Sequence, residues 1–404
     1  MSTFTPGRPA VGATELASLR ELINGHTSRT DERRIIELMR GMSPGALNVV
    51  LGSLSVKELH ELIGDIDDRL IGPDNHKNFL DLLSKERLPE LTVDSRAKLV
   101  HALQHHRTSG ADEAAIRDVF LGTRGPALTA LKNAIDQGGD YRDLQQLVFH
   151  DIDDPKVRDA VLEHFKTEAA TPSGQVKVLS DIDDTFYANL KDSRYPMKTV
   201  YPGVRALYQE LDKGGTSTPD RVGDLMFLSA RPYDRPGLGE THTRNTLDDK
   251  GVRPATVLSG DWAHIIGNES IAAKKYDNWS QVRQLYPEYG SVFLGDSGQG
   301  DAIFGAKAAA TPGGEMKRVF IHNVTDLSDA QRADFAAKGV TIFDTYVGAA
   351  IEAYKAGLIT KDGLERVATA AQRELGEVSF SDPAKKAARE AELARDVAAM
   401  RALP

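Results

Sequence analysis

Asp181 and Asp183 stand two positions apart, follow an apolar run and are continued by Thr185. One carboxylate of such a pair can attack phosphorus and form an aspartyl phosphate. The other can protonate the leaving oxygen and then activate water against the intermediate. Downstream, Ser229 and Asp296 each close a further apolar run, Lys274-Lys275 lies between them, and Asp301 follows in the segment GDSGQGD. Crowded carboxylates repel one another, so the set calls for a divalent cation, and Mg2+ suits an all-oxygen site. Serine and lysine supply hydrogen bonds and positive charge for phosphoryl oxygens.

The letters alone do not single out this pair. The tetrapeptide DIDD occurs at 65–68, at 151–154 and at 181–184. The first two copies sit in a tandem repeat. Thr27-Ser28, Asp31-Glu32, Ile35, Gly41 and Ala46-Leu47 match Thr108-Ser109, Asp112-Glu113, Ile116, Gly122 and Ala127-Leu128, each 81 positions on. LHELIGDIDD then matches LQQLVFHDIDD, with a short loop insertion between. Ile35, Leu38, Met39 and Met42 share one helical face, as do Ile116, Val119 and Phe120. Both repeat copies of DIDD fall where a helix ends, and acids there cap the next helix and face its positive end. The third copy follows Val176–Ser180, a strand. In a parallel sheet, ligands bind at the carboxyl ends of strands.

The elements around the third copy are short β-rich runs alternating with helical stretches: 176–181, 224–230, 255–260, 291–296, 318–324 and 340–346. Apolar runs without strict alternation suit a parallel sheet covered on both faces. The expected division is a disordered, Pro/Gly-rich segment at 1–13, a helical repeat domain at 14–171, a doubly wound α/β domain at 172–350, and a C-terminal helical tail at 351–404. The tail's charged, Ala-rich end (381–404) reads as a solvated helix. His242, His264 and His322 form no metal-ligand spacing and are expected at the surface.

The totals exclude several classes. A formal net charge of −9 argues against nucleic-acid binding. Cysteine is absent, which removes disulfides, thiolate metal sites and cysteine nucleophiles. No apolar run reaches membrane-spanning length, and the first residues lack the basic and apolar regions of a secretory signal, so a cytoplasmic location is expected.

The ordered set of Asp181-Ile182-Asp183-Asp184-Thr185, Ser229, a lysine and the GDSGQGD segment resembles the haloacid dehalogenase-like (HAD-like) phosphotransferases. LSDIDDTF, YPGVRALYQELDKG, MFLSARP and KKYDNWSQVRQLYPEYGSVFLGDSGQGD narrow the likeness to the App1-type phosphatidate phosphatase catalytic domain, over about 176–310. This resemblance implies Asp181 as nucleophile, Asp183 as general acid and base, Ser229 as a phosphate ligand and Lys275 as the motif lysine, with Lys274 the fallback. It implies Mg2+ held by Asp181, the main-chain carbonyl of Asp183 and Asp296, with Asp301 completing the metal site from behind or through water. Thr185 is assigned to loop support beside the substrate, and Arg231 to a second anionic group of it. The helical repeat has a fainter likeness to annexins, whose Gly-rich loop and distant acid hold calcium against phospholipid. Gly110 and Asp151, 41 positions apart, would play those parts, although the first copy has Arg29 in place of Gly110.

Asp181 to Ser229 spans 48 positions and Ser229 to Lys275 spans 46, which leaves room for core elements and a minimal cap only. An open site admits a bulky phosphomonoester. The likeness tilts this to phosphatidate, with peripheral contact at a membrane. A soluble or protein phosphomonoester is the alternative. So is a binding protein in which the helical repeat does the work and the phosphatase domain is inert.

Overall fold

The computed structural model describes residues 11–23, 28–66, 74–105, 108–137, 142–169, 175–189, 191–213, 225–232, 238–252, 256–260 and 267–404, with backbone alone at 229–232, 238–241, 256 and 259–260. The expected disordered segment lies outside them up to residue 10, as do linker residues 171–174, Asp67, Asp68 and His264. The chain forms two compact units, Met1–Ala169 and Ala170–Pro404.

The first unit is helical throughout its described elements, and its local chemistry repeats with the sequence. Ser28 and Ser109, the two equivalent N-caps, each close a capping box with the aspartate three residues on, Asp31 and Asp112. Each box satisfies amides that a helix start leaves unpaired. Behind them Ile35, Ile36, Met39 and Met42 are buried in one copy, and Ile116, Val119 and Phe120 in the other.

Asp65 is the last residue of the helix Val56–Asp65. Asp151 closes the π-helical turn Leu147–Asp151, and Asp154 caps the helix Pro155–Glu168. Both oxygens of Asp151 are taken: Oδ2 accepts from Gln104 at 2.9 Å and Oδ1 from Gln146 at 2.8 Å. The main-chain amides of Asp153 and Asp154 both donate to Glu113 at 3.0 Å. Among the described residues, the one cluster of three or more potential metal ligands lies elsewhere. The second DIDD is therefore a packed helix junction in which both Asp151 oxygens are engaged.

The second unit is built on six parallel strands: β1 (Val176–Ser180), β2 (Leu225–Pro232), β3 (Thr256–Gly260), β4 (Gly290–Asp296), β5 (Met316–His322) and β6 (Val340–Phe343). Their order is β3-β2-β1-β4-β5-β6. The described residues of β4 are buried throughout and those of β1 nearly so, which explains why their sequences are apolar without alternation. The chain steps outward from β1 through β2 to β3. It then returns past β1 through the helix Asn268–Leu285 to lay β4 against β1's other edge. This is the HAD-like doubly wound fold. Only a small insertion separates β1 from the helix Val204–Lys213. It is folded on itself by exchange between Ala188 and Lys198–Thr199, at 2.9 and 2.7 Å.

The run read as a solvated tail helix packs on this core instead. In the helix Pro383–Arg401, Arg389, Leu393 and Val397 are buried, and the two apolar residues join Val178, Phe227 and Tyr346 in one cluster. Alanines around that narrow stripe dilute its periodicity and hide the buried face. No described helix is long and apolar enough to cross a membrane.

Replacing Asp151 with Asn should cost about 1 to 3 kcal/mol in urea unfolding, because an NH2 donor then replaces one of the two oxygens that accept from the glutamines. Calcium should leave the unfolding midpoint of the wild-type protein unmoved; a calcium-dependent rise lost in the variant would support the annexin-like reading instead.

Candidate active site

A switch point forms where β1 and β4 lie side by side while the chain departs from them in opposite directions. Asp181 comes just past β1, and its amide still donates to Leu294 of β4 at 2.9 Å. Asp296 ends β4. The two carboxylates predicted to share a cation are thereby brought to the carboxyl ends of neighbouring strands. Asp301 opens the helix Asp301–Ala309 and turns back, accepting from the Asp296 amide through Oδ2 at 3.2 Å. Asp181, Asp296 and Asp301 offer oxygens within 4.8 Å of one another, all buried.

The close approach demands glycine. A Cβ at Gly295 would lie 2.4 Å from Asp301 Oδ2. One at Gly300 would lie 2.3 Å from the main-chain oxygen of Asn268, at the start of the helix that carries Lys275.

Of the two candidate lysines, Lys275 is the one that lies against the carboxylates. It is fully buried, and its Nζ donates to Asp181 Oδ1 at 2.6 Å and to Asp301 Oδ1. Lys274 is half-buried and makes no such bond. Burial works against the Lys275 charge, but Asp181 and Asp301 outweigh it and hold the ammonium firmly protonated.

One ammonium does not balance three carboxylates. Burial first, and then the charges of Asp301 and Asp183 against the pull of Lys275, push the Asp181 carboxyl up to about 8. Burial and the charges of Asp301 and Asp181 push Asp296 well up as well. Asp181 Oδ2 and Asp296 Oδ2 are buried with no hydrogen-bond partner. Two orphaned carboxylate oxygens in an all-oxygen pocket fit a hard divalent cation. Both oxygens of Asp301 are engaged, so it orients the site and Lys275 from behind.

Asp183 is half-buried, and its Oδ1 accepts from the Asn189 side chain at 2.8 Å. Thr185 is fully buried, and its carbonyl accepts from the Tyr346 hydroxyl, so it sits under the loop rather than on its surface. Ser229 and Arg231 lie on β2, and their side chains fall outside the described residues. His242 is exposed as expected. His322 is not: it ends β5 beside Asp296, buried and stacked on Phe343, with Nδ1 3.3 Å from the Asp184 carbonyl. Burial and the Arg194 charge hold it neutral, with its pKa pushed down to about 3. Sequence reasoning also missed Asp184, the fourth letter of the motif. It is wholly buried with φ of 59°, and accepts main-chain amides from Asn189 and Lys191, both at 2.7 Å, and from Asp192 at 3.2 Å. Its backbone takes the left-handed region, tolerated best by glycine, asparagine and aspartate, which the letter alone does not mark.

Comparison of the chain with protein-family models, with curated proteins and with solved structures gives no match. The geometry itself supports a hydrolase-type site: a buried carboxylate at a strand end, a nearby half-buried carboxylate, a buried lysine, and a cluster able to hold a divalent cation.

The charge imbalance has a pH signature. Asp181 and Asp296 bind protons more tightly in the folded chain than when unfolded, so this pair's contribution to metal-free stability is fully present below the ordinary aspartate pKa of 3.8. It is lost as pH rises toward about 8. Above the acid range in which ion-paired carboxylates such as Asp192 and Asp344 titrate, thermal unfolding in a chelator should therefore show a midpoint that falls toward pH 8. Mg2+ should raise the midpoint more at the alkaline end than at the acid end, and a pH-independent Mg2+ effect would show that these carboxylates do not bind it.

Proposed function

We propose that the chain is a Mg2+-dependent phosphomonoester hydrolase working through an aspartyl phosphate on Asp181. The observation that carries this is the pair of orphaned oxygens on Asp181 and Asp296 at adjacent strand ends, with Lys275 bonded beside them. Asp181, Asp296 and the main-chain carbonyl of Asp183 would hold the cation. When bound, Mg2+ supplies the charge that lets the buried carboxylates ionise together and that offsets phosphoryl charge.

In the first half-reaction an Asp181 oxygen bonds to phosphorus as the ester P–O bond breaks. The bonding pair leaves with the alcohol oxygen, which takes the proton of Asp183. In the second, Asp183 takes a proton from water as the water oxygen bonds to phosphorus, and the Asp181 carboxylate leaves with its electron pair. Lys275 holds Asp181 in line and offsets negative charge throughout. Ser229 is assigned to a phosphoryl oxygen and Arg231 to a further anionic group on the grounds of sequence order. Thr185 supports the loop.

The substrate class is a phosphomonoester too bulky to need enclosure, since the insertion after β1 is small. The sequence likeness favours a phosphorylated lipid, phosphatidate giving diacylglycerol and phosphate, with a cytoplasmic enzyme making peripheral membrane contact. A soluble or protein phosphomonoester fits the same site chemistry. A helical-repeat binding protein with an inert phosphatase domain is disfavoured by the complete carboxylate–lysine set.

Phosphate release from phosphatidate, lysophosphatidate and p-nitrophenyl phosphate, with and without Mg2+, tests the reading. Asp181→Asn should abolish turnover, and Asp183→Asn should lower it by about 10²- to 10⁴-fold. Asp296→Ala should raise the Mg2+ needed for half-maximal rate. Near-wild-type release by either of the first two variants, or no release by the wild type, would refute it.

A further inference from the structure

We propose that Asn189 is the positioning residue for Asp183, held there by a loop that Asp184 folds around its own carboxylate; the assignment rests on the phosphoryl-transfer reading above. The Asn189 side-chain amide donates to Asp183 Oδ1 at 2.8 Å. That bond occupies one oxygen with a donor. The proton exchanged with the leaving group therefore falls to the other oxygen, and the bond fixes the direction in which that oxygen points.

Asn189 is held by its backbone as well as by its side chain. Asp184 accepts the main-chain amides of Asn189, Lys191 and Asp192, which closes the chain just past Asp183 into a tight loop. The loop's far end is tied down in turn. Asp192 accepts from Arg194, through Nε at 2.9 Å and Nη2 at 2.8 Å, and from the Tyr201 hydroxyl at 2.8 Å. Arg194 also lies 3.2 Å from His322 Nε2, and the other ring nitrogen of His322 faces the Asp184 carbonyl. The fourth aspartate of DIDD thus acts on the second through Asn189. In the second repeat copy the fourth aspartate, Asp154, instead caps a helix by accepting the Lys156 amide at 2.8 Å.

A residue that only aims the acid matters in proportion to how much the leaving oxygen needs a proton. An alkyl alcohol leaves poorly as an alkoxide, whereas p-nitrophenolate leaves as a stable anion. The ratio kcat/KM reports the first half-reaction, in which that proton is delivered. A merely structural defect would lower it for both ester types alike.

The test compares kcat/KM for p-nitrophenyl phosphate with that for whichever of lysophosphatidate, glycerol phosphate and phosphoserine the wild type turns over best. Asn189→Ala should lose at least about tenfold more on the alkyl ester than on the aryl ester, a part of what general acid catalysis contributes. Asn189→Asp, the same shape without the donor, should show a larger alkyl-specific loss. Both variants should keep the Mg2+-induced rise in unfolding midpoint, which reports an intact carboxylate cluster. Equal losses on both esters, or none, would overturn the role of Asn189 while leaving the phosphoryl-transfer reading in place. A wild type that releases phosphate from neither ester would overturn both.

Discussion

Three carboxylates and one ammonium share a buried space at the ends of β1 and β4, which leaves two negative charges without a partner. Buried charge of this kind is tolerated only if the groups protonate or a cation joins them. Much of the second unit serves to impose this conflict. The sheet order puts Asp181 beside Asp296, Gly295 removes the side chain that would push Asp301 away, and Gly300 lets the helix bearing Lys275 come close. The arrangement sacrifices stability at neutral pH for a cluster able to hold a dication.

The same tetrapeptide meets three fates, and backbone context decides among them. At 65–68 the described part of the motif ends a helix. At 151–154 its side chains and amides are consumed by neighbours: Gln104 and Gln146 bond to Asp151, and Glu113 holds the next turn. At 181–184 the motif leaves a strand. There its first aspartate points an oxygen at no partner, and its fourth takes the left-handed turn that folds the loop back.

Much of this was legible in the sequence. All six β-rich runs became strands, because strands buried on both faces must be apolar over their length. The order of motifs located Asp181, Lys275, Asp296 and Asp301, which the structure brings together, and the 81-residue offset reappeared as matched capping boxes. What stayed hidden depends on tertiary placement. His322 looks like any polar strand end until β5 is laid beside Asp296. Asn189 has no motif spacing, since it reaches Asp183 only through the loop that Asp184 closes. The buried stripe of the last helix rests on Arg389, Leu393 and Val397 amid alanines, too narrow to register as amphipathic.

The central claim is that the Asp181 carboxylate becomes bonded to phosphorus during turnover. Acid-quenching the enzyme in its first turnovers with Mg2+ and p-nitrophenyl phosphate, reducing with borohydride, and reading the peptide that contains residue 181 by mass spectrometry tests this directly. An acyl phosphate on Asp181 is reduced to the alcohol, so homoserine should appear at position 181 and be absent without substrate. Phosphate release with the reduction product at another residue would contradict the account.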